Sequence, residues 1–188
     1  MKDEIMEALE DCPVIAAVKD SEGLAKSLES ESRIIFILYG NICDIGDIVS
    51  RIKNAGRMAF VHVDLISGLA SKEISVDFIR SNTRADGIIT TKPALIKRAG
   101  DLGMFAILRM FMIDSMAYNS IEKQAAACSP DLIELLPGTM PKVIRRVCDK
   151  IKIPVIAGGL IADREDVIHA LSAGAVSIST TNSGLWFE

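Results

Sequence analysis

Eight short apolar runs recur along the chain at a fairly even interval: PVIAAVK, RIIFILYGN, RMAFVHVDLISG, ADGIITTK, MFAILRM, DLIELLPG, IPVIAGG and AVSISTT. Most are apolar at consecutive positions, not only at alternate ones. That is the mark of strands covered on both faces, as in a parallel sheet. The segments between the runs have helical spacing. SEGLAKSLES opens on a serine N-cap candidate and puts Leu24 and Leu28 on one face. DIGDIVSRIKNAG carries Ile45, Ile48, Val49 and Ile52 and stops at Gly56 after two basic residues. SVDFIRSNT is shorter. KPALIKRAGDLG starts with Pro93 near the first helical position, and SMAYNSIEKQAAACS is alanine-rich. MPKVIRRVCDKIK lines up Val143, Ile144, Val147 and Ile151, and DREDVIHALSAGA has acids in its first turn and a glycine stop.

Eight strands, seven helices and a closing stub, SGLWFE, predict an α/β fold. The expected form is a compact (β/α)8 barrel of the TIM type, with short loops and a truncated last helix. The 188 residues fall just below the usual barrel length and are taken as one domain, 1–188. The rival is an open doubly wound sheet. No strand–GxGxxG–helix sequence stands near the start, which weakens the dinucleotide-binding version of that rival.

Composition narrows the function classes. With 49% hydrophobic and 24% charged residues the chain is globular, with no disordered bias. The net charge of −4 excludes a whole-molecule electrostatic nucleic-acid binder, so any such contact needs a local basic patch. The opening MKDEIMEALED lacks the basic-then-apolar layout of a signal peptide, and no run approaches the roughly 18 apolar residues of a membrane helix. Cys12, Cys43, Cys128 and Cys148 form no CxxC pair and suit no zinc site. They read as reduced, mostly buried thiols of a cytoplasmic protein with no membrane partner.

In such a barrel, function gathers where the strands end. The runs carry polar groups there: Asn41, His62 with Asp64, Thr90 to Lys92, Arg109, Glu134, Gly158-Gly159, and the hydroxyls Ser177, Ser179, Thr180 and Thr181. His62 and Asp64 are two apart and so expected on one face. Each has a plain alternative: His62 as a satisfied core histidine, Arg109 with Glu134 as a structural ion pair. Together they predict a small-molecule pocket. The order strand–GG–helix–AGA–strand–hydroxyls resembles the phosphate site that many barrels carry after strands 7 and 8. Gly158 and Gly159 would let backbone N–H groups approach an oxyanion, with Ser179 and Thr180 adding donors. Lys92 and Arg109 would supply cations, and Asp64 and Glu134 would bond the hydroxyls of a phosphorylated polyol.

The blocks FVHVDLISGLA, DGIITTKP, LIELLPGTMPKVI, PVIAGGLI and AGAVSISTTNSGLW, in this order, resemble the glycerol-3-phosphate-responsive antiterminators, over about Val14 to Trp186. These bacterial proteins regulate the glycerol uptake operon. The resemblance implies a barrel that senses glycerol 3-phosphate and acts on leader mRNA so that transcription passes a terminator. It places Gly158, Gly159, Ser179 and Thr180 at the phosphate end of the ligand. Asp64, Lys92 and Glu134, in the HVDLI, TTKP and ELLPG blocks, fall to the polyol end, to which the strand-end reading adds Asn41, His62 and Arg109. It implies no catalytic residue, no metal and no cofactor. A homodimer is left open, with Trp186 and Phe187 as its candidate contact.

An RNA-binding chain with a pI near 5.3 must concentrate its basic groups. PKVIRRVCDKIK does so with Lys142, Arg145, Arg146 and Lys150, though the same residues also read as an ordinary solvated helix face. No RNP motif is present, and the GxxG of AGDLG closes a helical run instead of forming an RNA loop, so RNA rests on the resemblance. The alternative function is a barrel enzyme acting on a phosphorylated small polyol: an aldolase, an isomerase or a phosphodiester hydrolase. In that reading Lys92 would form a Schiff base, Asp64 or Glu134 would act as base, and His62, Asp64 and Glu134 would suit a divalent metal.

Overall fold

The computed structural model describes residues 2–187. A helix, α1 (Lys2–Asp11), comes first. The alternation then runs β1 (Val14–Val18), α2 (Ser21–Glu29), β2 (Ile34–Ile37), α3 (Ile45–Asn54), β3 (Met58–His62), α4 (Glu73–Asn82), β4 (Gly87–Thr90) and α5 (Pro93–Asp101). It continues through β5 (Phe105–Phe111), α6 (Ser115–Cys128), β6 (Leu132–Leu136), α7 (Pro141–Lys150), β7 (Val155–Gly158), α8 (Arg164–Ser172) and β8 (Ser177–Thr180). Each strand pairs in parallel with the next and β8 pairs with β1, so the sheet closes into an eight-stranded barrel. The open-sheet rival is thereby excluded. The truncated last unit is a 3₁₀ turn, Ser183–Phe187.

Two dry faces explain why the strands read as continuous apolar runs. Val14, Ala16, Val18, Ile35, Ile37, Ala59 and Val61 point outward under the helices. Ile15, Ala17, Ile34, Phe36, Phe60, Ile89 and Phe105 point into the barrel. With water excluded from both sides, alternation of polarity has no place to appear. Inside, Phe60 lies 5.9 Å from Phe36 and 5.7 Å, edge-on, from Phe105, ring centroid to centroid. Gly87 makes room for it: a Cβ there would stand 2.7 Å from the Phe60 ring.

The helix α1 is the main element that the apolar runs do not place. It buries Ile5, Ala8 and Leu9 among the inward residues of the strands and so plugs the N-terminal end of the barrel. Each of the two large side chains contributes roughly 2–3 kcal/mol by leaving water. Lys2–Asp131 and Arg33–Asp11 ion pairs tie the helix to the rim.

Three further expectations change. β3 ends at His62, and Asp64 lies on a 3₁₀ turn (Val63–Leu65), so the two do not share a strand face. Trp186 is 2% exposed, its indole N–H donating to the Thr180 carbonyl at 3.0 Å. It covers its own barrel and is no free contact for a second copy; Phe187 stays half exposed. Of the four thiols only Cys128 is fully buried, and Cys43 is exposed. Among the described residues, no helix is long and apolar enough to cross a membrane.

Candidate functional site

The inward positions change character toward the strand ends. Continuing the alternation puts His62 on β3, Arg109 on β5, Glu134 on β6, Gly158 on β7 and Ser179 on β8 inside the barrel, one layer above the phenylalanines. The register sets Arg109 beside Glu134 and Gly158 beside Ser179. Arg109 Nε donates to Glu134 Oε2 at 2.6 Å, and the Ser179 hydroxyl donates to Glu134 Oε1 at 2.6 Å. Glu134 is fully buried, so both carboxylate oxygens must be answered, and both are. A Cβ on Gly158 would stand 2.6 Å from Glu134 Oε1 and equally close to Ser179 Oγ. The glycine is there because the carboxylate and the hydroxyl meet in the space its side chain would fill.

His62 is 2% exposed, and its Nδ1 has no hydrogen-bond partner. Burial above all, with the Arg109 guanidinium adding to it, pushes the imidazole down to about 4, against weaker opposing pulls from Asp64 and Glu134. At neutral pH it is an uncharged ring inside a polar layer.

Above this layer opens a cavity of about 470 Å³, lined by Ala17, Leu38, Arg109, Leu136, Ser179 and the loops Gly159–Ala162 and Thr180–Asn182. Gly159 and Leu160 both take left-handed backbone, at φ 75° and 62°. For leucine this costs roughly 1–2 kcal/mol, and its side chain is 75% exposed, so no burial offsets the cost. Both residues lie on the loop that lines one wall of the cavity. Among the described residues the N–H groups of Leu160, Ile161 and Thr181 donate to no protein acceptor. The two loops are stitched together: Thr180 Oγ donates to the Ile161 carbonyl at 2.9 Å and Asn182 Nδ2 to the Ala162 carbonyl at 2.7 Å. Thr180 and Ser179 thus hold the cavity in shape with their own hydroxyls.

The sequence-predicted residues divide. Gly159, Ser179, Thr180 and Arg109 line the cavity, with Gly158, Glu134 and His62 among the inward positions of the same strand ends. Asn41, Asp64 and Lys92 are placed elsewhere on the rim. Asn41 bonds to Asp44 through both its amide N–H and its side chain. Asp64 accepts from the Thr90 hydroxyl and from the Thr91 amide and hydroxyl. Lys92 is the exposed N-cap of α5 and does not line the cavity. No cluster of metal-ligating residues occurs among the described residues. Leu38, Leu160, Ile161 and Asn182 line the cavity without a sequence signal of their own beyond lying just past strand ends.

The basic residues lie on α7 and are partly engaged. Arg145 donates to the Ser172 carbonyl at 3.1 Å. The Arg146 guanidinium sits 4.5 Å from the centre of the Tyr118 ring, and Lys150 4.6 Å from it. Lys150 also pairs with Glu122 at 3.2 Å, and Lys142 is exposed. α7 begins just after Gly138, whose N–H donates to the Gly159 carbonyl at 2.9 Å. A Cβ on Gly138 would touch Ile161 Cδ1 at 2.9 Å, so the loop leading into α7 packs against the cavity loop.

Comparison with known proteins gives a consistent result. A model of the glycerol-3-phosphate responsive antiterminators matches residues 14–186. The uncharacterised protein YgcP of Escherichia coli K12 is 50% identical over 182 residues, 97% of this chain and 95% of YgcP. A crystal structure of the glycerol uptake operon antiterminator regulatory protein of Listeria monocytogenes superimposes with a TM-score of 0.90 at 35% identity, covering 94% of this chain and 95% of that one. An antiterminator-related protein of Thermotoga maritima gives 0.82 at 32% identity, covering 92% and 96%.

Proposed function

The chain belongs to the glycerol-3-phosphate responsive antiterminator family, and on that premise we propose that it is a single-domain, cytoplasmic, ligand-responsive regulator that performs no catalysis. Its ligand is glycerol 3-phosphate, and its output is antitermination through leader mRNA of a glycerol uptake operon. The observation that carries the ligand half is the set of unpartnered amides at Leu160, Ile161 and Thr181 in one open cavity, above a floor of satisfied polar groups. Free N–H groups with no Cβ at Gly159 in the way suit a phosphate oxyanion.

The phosphate sits at the loops after β7 and β8, by Gly158, Gly159, Ser179 and Thr180. The glycerol hydroxyls face Arg109, Glu134 and His62. Arg109 uses Nε on Glu134 and keeps its other N–H groups for the ligand. Asn41, Asp64 and Lys92 stiffen the rim around this end. Binding without turnover fits the same network. Both oxygens of Glu134 are engaged, and a neutral imidazole with a pKa near 4 is a weak base at neutral pH. The RNA contacts Lys142, Arg145, Arg146 and Lys150 on α7. Ligand occupancy reaches that helix through the packing of Gly138 on the Gly159–Ile161 loop.

The test reads thermal stability and RNA binding on the same preparation. Glycerol 3-phosphate at millimolar concentration should raise Tm, since it binds only the folded chain. An Arg145→Glu, Arg146→Glu protein should keep that rise and lose affinity for leader RNA, with a shallower salt dependence. An unmoved Tm removes the sensing role, and unchanged RNA affinity removes α7.

A further inference from the structure

We propose that Lys19 is the cation that closes over the anionic group of the ligand, which makes it a specificity-determining residue of the cavity. This rests on the reading above that the cavity takes a phosphorylated small molecule. The placement follows from the end of β1. Ile15 and Ala17 point into the barrel, and Lys19 is the first residue past the strand, exposed at that end of the barrel. β8 is the neighbour of β1, and their register, with Ala16 beside Thr180, brings Thr181 next to Ala17, two residues before Lys19. Lys19 lines a second cavity of about 230 Å³, which shares Ala17 and Thr181 with the larger one. Thr181 therefore lines both cavities, with Leu160 and Ile161 on the wall of the larger and Lys19 on the wall of the second.

Charge at this junction points the same way. Arg109 is paired with Glu134, so the floor of the larger cavity carries no uncompensated charge to hold a dianion. Around the second cavity the other charged groups are already engaged. Lys26 pairs with Glu22 at 2.9 Å, and Asp20 accepts the Gly23 N–H at 2.7 Å as the N-cap of α2. Lys19 makes no hydrogen bond or ion pair among the described residues, which leaves its ammonium free to meet a phosphate as a mobile point charge. The amides shape the oxyanion cradle, and Lys19 separates a phosphorylated polyol from a neutral one.

Titration calorimetry on the full chain tests this with sn-glycerol 3-phosphate and glycerol as the two probes. Lys19→Met should weaken the phosphate ester roughly 10- to 100-fold, the range for losing a charged hydrogen-bond partner. Lys19→Arg should stay within a few-fold of wild type. Because Lys19 is exposed, ligand-free Tm should match wild type in both variants. Equal affinity of Lys19→Met and wild type for the phosphate ester overturns the assignment and leaves the proposed ligand standing. If wild type binds no phosphate ester, the proposed ligand falls and Lys19 falls with it. Equal weakening of glycerol and of the ester in Lys19→Met also overturns it, since a lining role without charge selectivity would give that.

Discussion

The two ends of one barrel are built on opposite terms. At the N-terminal end α1 drives Ile5, Ala8 and Leu9 into an apolar layer of Phe36, Phe60 and Phe105, and the space is closed. At the C-terminal end the same inward positions, one layer on, carry His62, Arg109, Glu134 and Ser179, and a cavity stays open above them. The lower end buries side chains that stabilise by volume. The upper end buries groups that are tolerable only when paired, and among the described residues the amides of Leu160, Ile161 and Thr181 there have no protein acceptor. A barrel can hold an open polar mouth because its other end is filled.

The contrast predicts how each end fails. The largest loss should come from emptying the plug: Ile5→Ala with Leu9→Ala removes about 5 kcal/mol by lost burial and residual cavity. Calorimetric affinity for glycerol 3-phosphate, measured where the protein is still folded, should be unchanged. A large change in affinity would mean that the two ends are not separable. Next, Glu134→Ala strands the nearly buried Arg109 and should cost about 4 kcal/mol in urea unfolding. Here ligand binding should fall too, because Arg109 and Ser179 lose the group that orients them. A destabilised protein with normal affinity would show the network to be scaffold alone.

A smaller effect separates the ends by pH. In the unfolded chain His62 takes up a proton near pH 6.5, and in the folded chain only near 4. Its contribution to stability is therefore whole above pH 6.5 and is lost as pH falls from 6.5 toward 4, by about 3 kcal/mol in all. Urea midpoints at pH 7, 5.5 and 4.5 should show that decline, and His62→Gln should flatten it. The plug variant should keep the slope, since its residues carry no titrating group.

Much of the upper end is legible in the chain. Strand ends fall where polar residues interrupt apolar runs, and IPVIAGG followed by AVSISTT marks the cavity loops by residue order alone. Lys19 is within reach of the same logic, since it is the polar residue that ends the apolar run PVIAAVK. Parity misleads where a strand stops early: Asp64 leaves the face of His62 because the chain enters a 3₁₀ turn after β3. Lys92 becomes the exposed N-cap of α5 and is not among the residues that line the cavity. For α1, the spacing of Ile5, Ala8 and Leu9 is a helix pattern, but nothing in ten residues says that the helix caps the far end of a barrel.

What the sequence determines by itself, then, is period and punctuation. Eight double-faced strands, the helices between them and the glycines and hydroxyls at their ends are local properties, set by which faces must be dry and where the backbone must turn. Tertiary structure alone decided which polar groups meet. Glu134 is answered by Arg109, 25 residues before it, and by Ser179, 45 residues after it. Those meetings exist only once the sheet has closed and fixed the register, because a buried charge takes its partner from whatever closure brings within reach.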